Sequence, residues 1–327
     1  MKKILSLVLC VLMLASVVSL VGCGEKETLK FGLGVVSAST EIKGATDEAD
    51  GSAKAAVTVA SVLLDKDGKV VKCVIDCTEN SVTFTNAGKA NDAKAFKTKY
   101  ELGNDYGMKA YAGAKKEWFE QADAFTSVVV GKNIDEIKAL VTNEGKGNTD
   151  VVNAGCTIFV SDFVKAVVAA CENAKESDAT EDDTLKLGII SSQANKADAT
   201  EEKAGSNGFD TSIAASVVDA DKKVVANAID TVSFKVSFDA KGATEDKTGE
   251  IASKRDLGDN YGMKAYGGAK KEWFEQIDAL EDICVGKTAD EITALEASEG
   301  KGNADVVNAG CTIAISDIIK AVTASAK

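Results

Sequence analysis

The sequence predicts an α+β fold, in which an antiparallel sheet is followed by packed helices, and it predicts this fold twice. One observation is a change of hydrophobic period, from strand-like alternation to steps of three or four residues. The other is internal repetition. Residues 106–121 (YGMKAYAGAKKEWFEQ) return as 261–276 with one substitution, and 150–158 (DVVNAGCTI) return unchanged as 305–313. Both pairs are 155 positions apart, which is a domain-sized offset, so we expect two tandem domains.

Composition divides the chain into five segments. Two lysines, an apolar run and then small residues predict a secretory signal peptide at 1–22. A tether at 23–27 precedes the first repeat at 28–174. A polar, acidic stretch, KESDATEDD, predicts a linker at 175–183, and the second repeat occupies 184–327.

Each repeat begins with strand patterns. Residues 55–64 and 70–77 are rich in β-branched side chains and flank an Asp-Lys-Asp-Gly-Lys turn, which predicts a hairpin, with a third strand at 81–85. The second repeat shows the same pattern at 212–218, 224–231 and 232–238. The meander predicts an antiparallel sheet in each repeat.

Helical patterns follow the strands. Apolar residues spaced by three or four across 109–130 predict one amphipathic helix, with Tyr111 and Trp118 (Tyr266 and Trp273 in the second repeat) on its buried face. A polar face at 115–117 is expected to be solvated. Shorter helices are expected to start at Asn133 and Ser161.

The composition excludes several functions. The chain has 38 Lys and Arg against 51 Asp and Glu, a net charge of −13, which argues against nucleic-acid binding. It contains no His, which excludes His-based triads and His metal sites. Neither a nucleophile–base pair nor a ligand cluster for a hydrolase or metalloenzyme is recognisable, so no metal is expected.

The end of the signal segment has a motif of its own. Leu20-Val21-Gly22-Cys23 resembles the bacterial lipobox, and this resemblance implies that Cys23 is lipidated. The protein would then be exported and held on the extracellular face of the cell membrane by acyl chains. The alternative is an ordinary signal peptide with an incidental cysteine.

Six further cysteines follow, of which only Cys156 and Cys311 correspond between the repeats. A disulfide framework would recur in both domains, and this one does not. We therefore expect most of these cysteines to be small buried residues.

The segment that could best support a chemical function is 144–158 (EGKGNTDVVNAGCTI), which returns at 299–313 with one difference, Thr149 against Ala304. A Gly-Lys-Gly loop leads to Asp150, which can cap a short helix, and then to Gly-Cys-Thr. Backbone N–H groups, a hydroxyl and a helix start suit a phosphate or another small anion. The alternative is that Asp150 and Asp305 are only helix caps.

This segment, the lipobox, the tandem arrangement and an early Asp-Gly-Lys-Val hairpin resemble the FMN-binding domain of bacterial surface lipoproteins linked to extracellular electron transfer. In that family an Asp-led Gly/Thr motif binds FMN, and its last hydroxyl can carry the flavin as a phosphoester. The matching, cofactor-binding residues would be Asp150, Gly155, Thr157, Asp305, Gly310 and Thr312.

The motif departs from the family pattern in the same way in both repeats. The spacing from Asp to Thr is one residue longer, Ala154 and Ala309 replace a Ser or Thr, and Cys156 and Cys311 replace an Ala. Covalent and non-covalent binding of FMN therefore both stay open, as does stacking of the flavin ring on Tyr106 or Tyr261.

The resemblance implies a non-catalytic surface lipoprotein with two flavin modules, which relays electrons and works with a flavin transferase and redox partners. The alternative is a solute-binding or structural surface lipoprotein that keeps the fold without a flavin.

Overall fold

A computed structural model describes residues 27–327. The predicted signal peptide and Cys23 lie outside the described residues. The strands are β1 Lys30–Lys43, β2 Gly51–Leu64, β3 Val70–Phe84, β4 Lys175–Glu176, β5 Thr184–Ala197, β6 Gly205–Val218, β7 Val224–Phe238 and β8 Gly249–Glu250. The helices are α1 Lys99–Leu102, α2 Met108–Tyr111, α3 Trp118–Val129, α4 Ile134–Lys138, α5 Thr149–Ala154, α6 Ser161–Glu172, α7 Lys254–Leu257, α8 Trp273–Cys284, α9 Ala289–Thr293, α10 Ala304–Ala309 and α11 Ser316–Ser325, with 3₁₀ turns at Gly103–Tyr106, Gly258–Tyr261 and Ser298–Gly300.

The strands form two antiparallel sheets. The first has the order β3-β2-β1, and the short strands β4 and β8 both pair with β1. The second has the order β5-β6-β7. The predicted α+β class with antiparallel sheets and helices is confirmed. The long strands β1 and β5 were not predicted, and β3 and β7 each run without a break through two predicted strands.

The two sheets pack face to face. Alternate residues of the central strands meet between them, namely Val57 and Val59 of β2 and Ile213 and Ala215 of β6. The intervening residues face helices, as Ala60 does in the first half and Ala214 in the second. This period of two, with both faces buried, gives four layers: helices, sheet, sheet, helices.

One helix of each half lies tightly against its sheet. The Cβ of any other residue at Gly34 would collide with the carbonyl oxygen of Ala166 in α6, and at Gly188 with that of Ala321 in α11. Glycine is therefore required for this approach of helix to strand.

The segment predicted as a linker, 175–183, packs along the first sheet. Lys175–Glu176 pairs with β1, and the carbonyl of Ala179 accepts a hydrogen bond from the Leu29 N–H at 2.8 Å. Ala179 is fully buried between the sheets. Strand pairing, this backbone hydrogen bond and one buried alanine together hold the acidic segment against the first sheet.

The single helix predicted over 109–130 is wrong, because the chain leaves the helix between Met108–Tyr111 and Trp118–Val129. Glu117, which was expected to be solvated, is buried, and its carboxylate accepts hydrogen bonds from the N–H groups of Met108 and Lys109 at 2.8 and 3.0 Å. It also closes a capping box with Glu120 at the start of α3.

Tyr111 and Tyr266 are accordingly 90% exposed, and their predicted place in the core is wrong. Trp118 and Trp273 are buried as predicted. The periodicity did not reveal the break, because the spacing of Tyr111 and Trp118 is also that of residues on one face of a single helix.

Candidate functional site

The predicted Gly-Cys-Thr turns are held by a buried glutamine in each half. Oε1 of Gln121 accepts hydrogen bonds from the N–H and the hydroxyl of Thr157 at 2.8 and 3.0 Å. Oε1 of Gln276 accepts the same pair from Thr312, also at 2.8 and 3.0 Å. The threonine side chains are exposed. Each hydroxyl is therefore fixed in direction but open to a ligand.

A lysine lies over each turn. Gly155 and Gly310 end α5 and α10 with φ of 102° and 105°, a region that favours glycine. A Cβ at Gly310 would collide with the ammonium of Lys271, which donates to the carbonyl of Ala309 at 3.3 Å. Lys116 makes the matching contact with Ala154. The side chain that covers the glycine is thus a cation next to the threonine.

Asp150 and Asp305 do not cap the short helices, so this part of the prediction is wrong. Asn148 is the cap, and its Oδ1 accepts from the N–H groups of Asp150 and Val151 at 3.0 and 3.2 Å. Asn303 caps α10 in the same way. Both aspartates are exposed in the first helical turn, and within residues 27–327 their carboxylates make no hydrogen bond or ion pair. The structure brings the predicted Gly and Thr together on one turn but leaves the Asp outside it.

The cysteines of the two turns are buried, as predicted. Cys156 and Cys311 have no exposed surface, and burial raises the pKa of the Cys156 thiol to about 11. Burial also raises the pKa of the Cys311 thiol. Both are protonated and inert at neutral pH. All six cysteines of the described chain are free thiols.

In the second half the turn leads into a cleft of about 320 Å³ between the sheet and the helices. Ile313 and Ala314, directly after Thr312, line one side of it, together with Ser316. Tyr261, Met263 and Trp273 line another. The sequence predicts Trp273 in the core and offers Tyr261 for stacking of a flavin ring, and in the structure both residues border this cleft.

The floor of the cleft is polar and comes from all three strands of the second sheet. It consists of Ser192 on β5, Asp210 and Ser212 on β6, and Thr231 on β7. Ser192 lies opposite Asp210 in the ladder, and Ser212 lies opposite Thr231. Within the described chain, the hydroxyl of Thr231 and Oδ1 of Asp210 are buried with no hydrogen-bond partner. Such groups are costly unless a ligand or water satisfies them.

One lysine, Lys254, lines the cleft beside the aromatic residues. The ammonium of Lys254 lies 5.1 Å from the ring centre of Tyr261 and 5.7 Å from that of Trp273, which are cation–π distances. Lys99 makes the same contacts with Tyr106 and Trp118 in the first half, at 4.8 and 5.6 Å. Sequence reasoning missed Lys254 and the floor residues, because strand residues far apart in the chain meet only in the sheet.

A second polar cluster lies in a wider groove of about 1100 Å³ between β1 and β7. Arg255 donates to the carbonyl of Ile229 at 2.6 Å, to Asp278 at 2.8 Å and to Glu281 at 2.5 Å. Burial raises the pKa of Glu281 to about 7 against the opposing effect of Arg255, and burial raises the pKa of nearby Asp230 to about 6. This cluster ties α7 and α8 to β7, which is a structural role.

Two further properties bear on function. Among residues 27–327, no group of three or more His, Cys, Asp or Glu side chains is arranged to hold a metal ion. None of the helices in that same range is long and apolar enough to cross a membrane.

Comparison with known proteins gives one similarity. No protein-family model and no solved structure matches the chain. The chain is similar to a chlorophenol reductase of Desulfitobacterium hafniense, with 28% identity over 148 residues, covering 40% of this chain and 45% of that protein. The match thus spans less than half the length of the curated relative.

This similarity corrects one expectation. The sequence predicts a protein without enzymatic activity, and this prediction is wrong, because the similar protein is by its name an enzyme, a reductase. The absence of a recognisable nucleophile–base pair or metal cluster does not exclude enzymatic activity, because a bound cofactor can supply the chemistry.

Proposed function

We propose that the chain is an exported, lipid-anchored redox protein of two FMN-binding-like repeats, in which the second-half cleft holds a flavin and serves a reductive reaction. One observation carries the proposal. The turn that bears Thr312, the residue matched to the flavin-bearing hydroxyl, continues directly into the wall of a cleft with an aromatic rim.

The residues of the second half fit such a ligand. A cleft of about 320 Å³ lies at the lower end of the usual range for small-molecule sites. Two buried polar atoms on its floor, on Asp210 and Thr231, need partners. The exposed Thr312 hydroxyl and the adjacent Lys271 ammonium suit a phosphate.

These residues would have different roles in binding the flavin. Thr312 and Lys271 would hold the phosphate, whether through an ester or through hydrogen bonds, while Tyr261 and Trp273 would border the ring. Lys254 would place a positive charge beside it. A bound flavin supplies the capacity to accept and pass on electrons, and the chain's own residues orient it and limit its contact with water.

The tandem arrangement is part of the proposal. In support, Gln121 and Gln276 make the same pair of bonds to Thr157 and Thr312. The carboxylates of Asp76 and Asp230 also make matching bonds: each accepts from the N–H of the following residue at 2.7 Å and from a helix N–H at 3.3 or 3.2 Å.

The proposal that the reaction is a reduction is supported by the name of the similar protein, a chlorophenol reductase. Anchoring through lipidated Cys23 on the extracellular face would put the protein in contact with membrane or surface redox partners. A flavin transferase would be required if the bond to Thr312 is covalent.

The test is production of the mature chain with and without a flavin transferase, followed by visible spectroscopy and intact mass. A yellow protein, or a mass gain equal to FMN that Thr312→Ala abolishes, supports the proposal. Thr157→Ala is the matched variant in the first half. A colourless chain that stays unmodified in its native host would overturn it and leave a solute-binding or structural lipoprotein.

A further inference from the structure

The two halves differ in the strand residues that face the helices at the cleft. The ladder gives the counterparts, because Thr58 pairs with Cys77 as Ser212 pairs with Thr231, and Ala38 with Ala56 as Ser192 with Asp210. The polar floor of the second half therefore corresponds to Ala38, Ala56, Thr58 and Cys77 in the first half.

The first-half residues satisfy one another. The Thr58 hydroxyl donates to Sγ of Cys77 at 3.6 Å, and the alanines have no polar side-chain atoms. Phe163 packs edge-on against Trp118 with ring centres 5.6 Å apart, where the second half has the smaller Ile318 at the edge of its cleft. The side chains of this first-half floor therefore need no hydrogen-bond partner from a ligand.

The second-half floor is different because two of its polar groups lack partners. Thr231 is only 3% exposed and its hydroxyl is unpaired, and Oδ1 of Asp210 is buried and unpaired within the described chain. They lie on adjacent strands in a diagonal relation, for which side chains are about 7–8 Å apart and can converge on one small group.

We propose that Asp210 and Thr231 determine the specificity of the cleft by binding an N–H group next to a carbonyl on the edge of a planar heteroaromatic ring. An ionised carboxylate only accepts hydrogen bonds, so Asp210 requires a donor. The Thr231 hydroxyl can donate to the neighbouring carbonyl. The aromatic rim formed by Tyr261 and Trp273 favours a flat ring above this floor.

This proposal rests on the proposed function, since the imide edge of the flavin ring has this pattern of an N–H beside a carbonyl. The new element is that Asp210 and Thr231 are the residues that select the ring, and that only the second half has them. With Ala56 and Cys77 in place of Asp210 and Thr231, the first half lacks this recognition, so one ring edge is bound per chain.

The experiment uses the full mature chain made without flavin transferase, titrated with FMN and with FMN methylated at the imide nitrogen, followed by flavin fluorescence. The wild type should bind the methylated flavin about tenfold or more weakly, the loss expected for a hydrogen bond to a charged group. Asp210→Ala, which introduces the first-half residue, should bind both flavins equally.

Thr231→Val should weaken FMN binding about tenfold. The ratio of the affinities for FMN and the methylated flavin should stay at the wild-type value. Thr248→Val is the matched control, since Thr248 is exposed and does not line the cleft; it should change neither value. The comparison of the two flavins on the wild type needs no substitution and so does not depend on the folding of a variant.

The outcomes separate the two proposals. If FMN binds but the wild type binds both flavins with equal affinity, or if Asp210→Ala keeps the discrimination, the assignment of the ring edge is overturned while flavin binding stands. If neither flavin binds, with or without flavin transferase in the expression host, both proposals are overturned.

Discussion

Phe84 and Phe238 stack face to face between the two sheets, with ring centres 4.2 Å apart and planes within 3° of parallel. One phenylalanine ends the last long strand of the first half and the other ends that of the second half. Both are buried, and they belong to an apolar cluster with Phe209 and Phe234. The halves therefore share a core, and each depends on the other to cover one face of its sheet.

Removing one of these rings should destabilise both halves together. We expect Phe238→Ala to lower the free energy of unfolding by about 3–5 kcal/mol, because a large cavity is left in a shared core. Urea unfolding followed by fluorescence of the two tryptophans, one in each half, should show a single transition at lower urea. Phe159→Ala, at a 69% exposed position, should change stability by less than about 1 kcal/mol. Two separate transitions in the wild type would contradict the shared core.

The bond pair between Gln276 and Thr312 should hold the turn in place. Gln276→Leu keeps the volume but removes the acceptor, and we expect a loss of about 1–2 kcal/mol, limited because water reaches the exposed threonine. Hydrogen exchange of the Thr312 amide should become faster in this variant. Thr312→Ser keeps both donors and should leave that exchange rate near the wild-type value; fast exchange in the wild type would be evidence against the bond.

Asp230 should make stability fall as the pH rises. Burial raises its pKa to about 6, above the ordinary value near 3.9, so between these values the folded state binds more protons than the unfolded state. Stability contributed by the protonated form is thus present below about pH 4 and lost as the pH rises through 6, with a change of roughly 2–3 kcal/mol as an upper bound.

The measurement for Asp230 is the difference in unfolding free energy between the wild type and Asp230→Asn from pH 4 to 7. Asparagine keeps an oxygen for the N–H groups of Thr231 and Arg255 but does not ionise. The wild type should lose stability relative to the variant across this range. A constant difference would show that the carboxyl ionises as freely in the folded chain as in the unfolded one.

Gly310 should not tolerate a side chain. Its φ of 105° is unfavourable for other residues, and a Cβ would collide with Lys271. We expect Gly310→Ala to cost about 1–3 kcal/mol and to displace Lys271 from the turn. Gly249→Ala is the control, because a Cβ there meets no atom within 4 Å. Equal thermal shifts for the two variants would refute the strain at Gly310.

Part of the candidate site could be predicted from the sequence. The repeated segment at 150–158 and 305–313 identified the turn, and its glycine and threonine do lie together. The aspartate was assigned as cap because Asp and Asn compete for that role locally, and Asn148 holds the position two residues earlier. The cleft floor was not predictable, since Ser192, Asp210 and Thr231 become neighbours only through strand pairing.

The first strand of the second repeat is another feature that the sequence alone does not align correctly. Thr-Leu-Lys occurs at 28–30 and again at 184–186, which aligns Gly188 with Gly32. In the fold Gly188 instead takes the place of Gly34: Gly34 pairs with Ala60 beneath the carbonyl of Ala166, and Gly188 pairs with Ala214 beneath that of Ala321. Close packing decides this register, and a three-residue match does not carry enough information to do so.

By itself the sequence determined the α+β class, the hairpins, the helix starts next to Asn133 and at Ser161, and the burial of the tryptophans and of most cysteines, because these follow from local propensity and hydrophobic period. Only the tertiary structure decided that the two sheets share a core, that Glu117 is buried beneath the break in the predicted helix, and that the second half has a polar cleft. These features depend on pairing and packing between residues far apart in the chain. The nearly identical segments of the two halves therefore lie beside strand surfaces that differ in polarity.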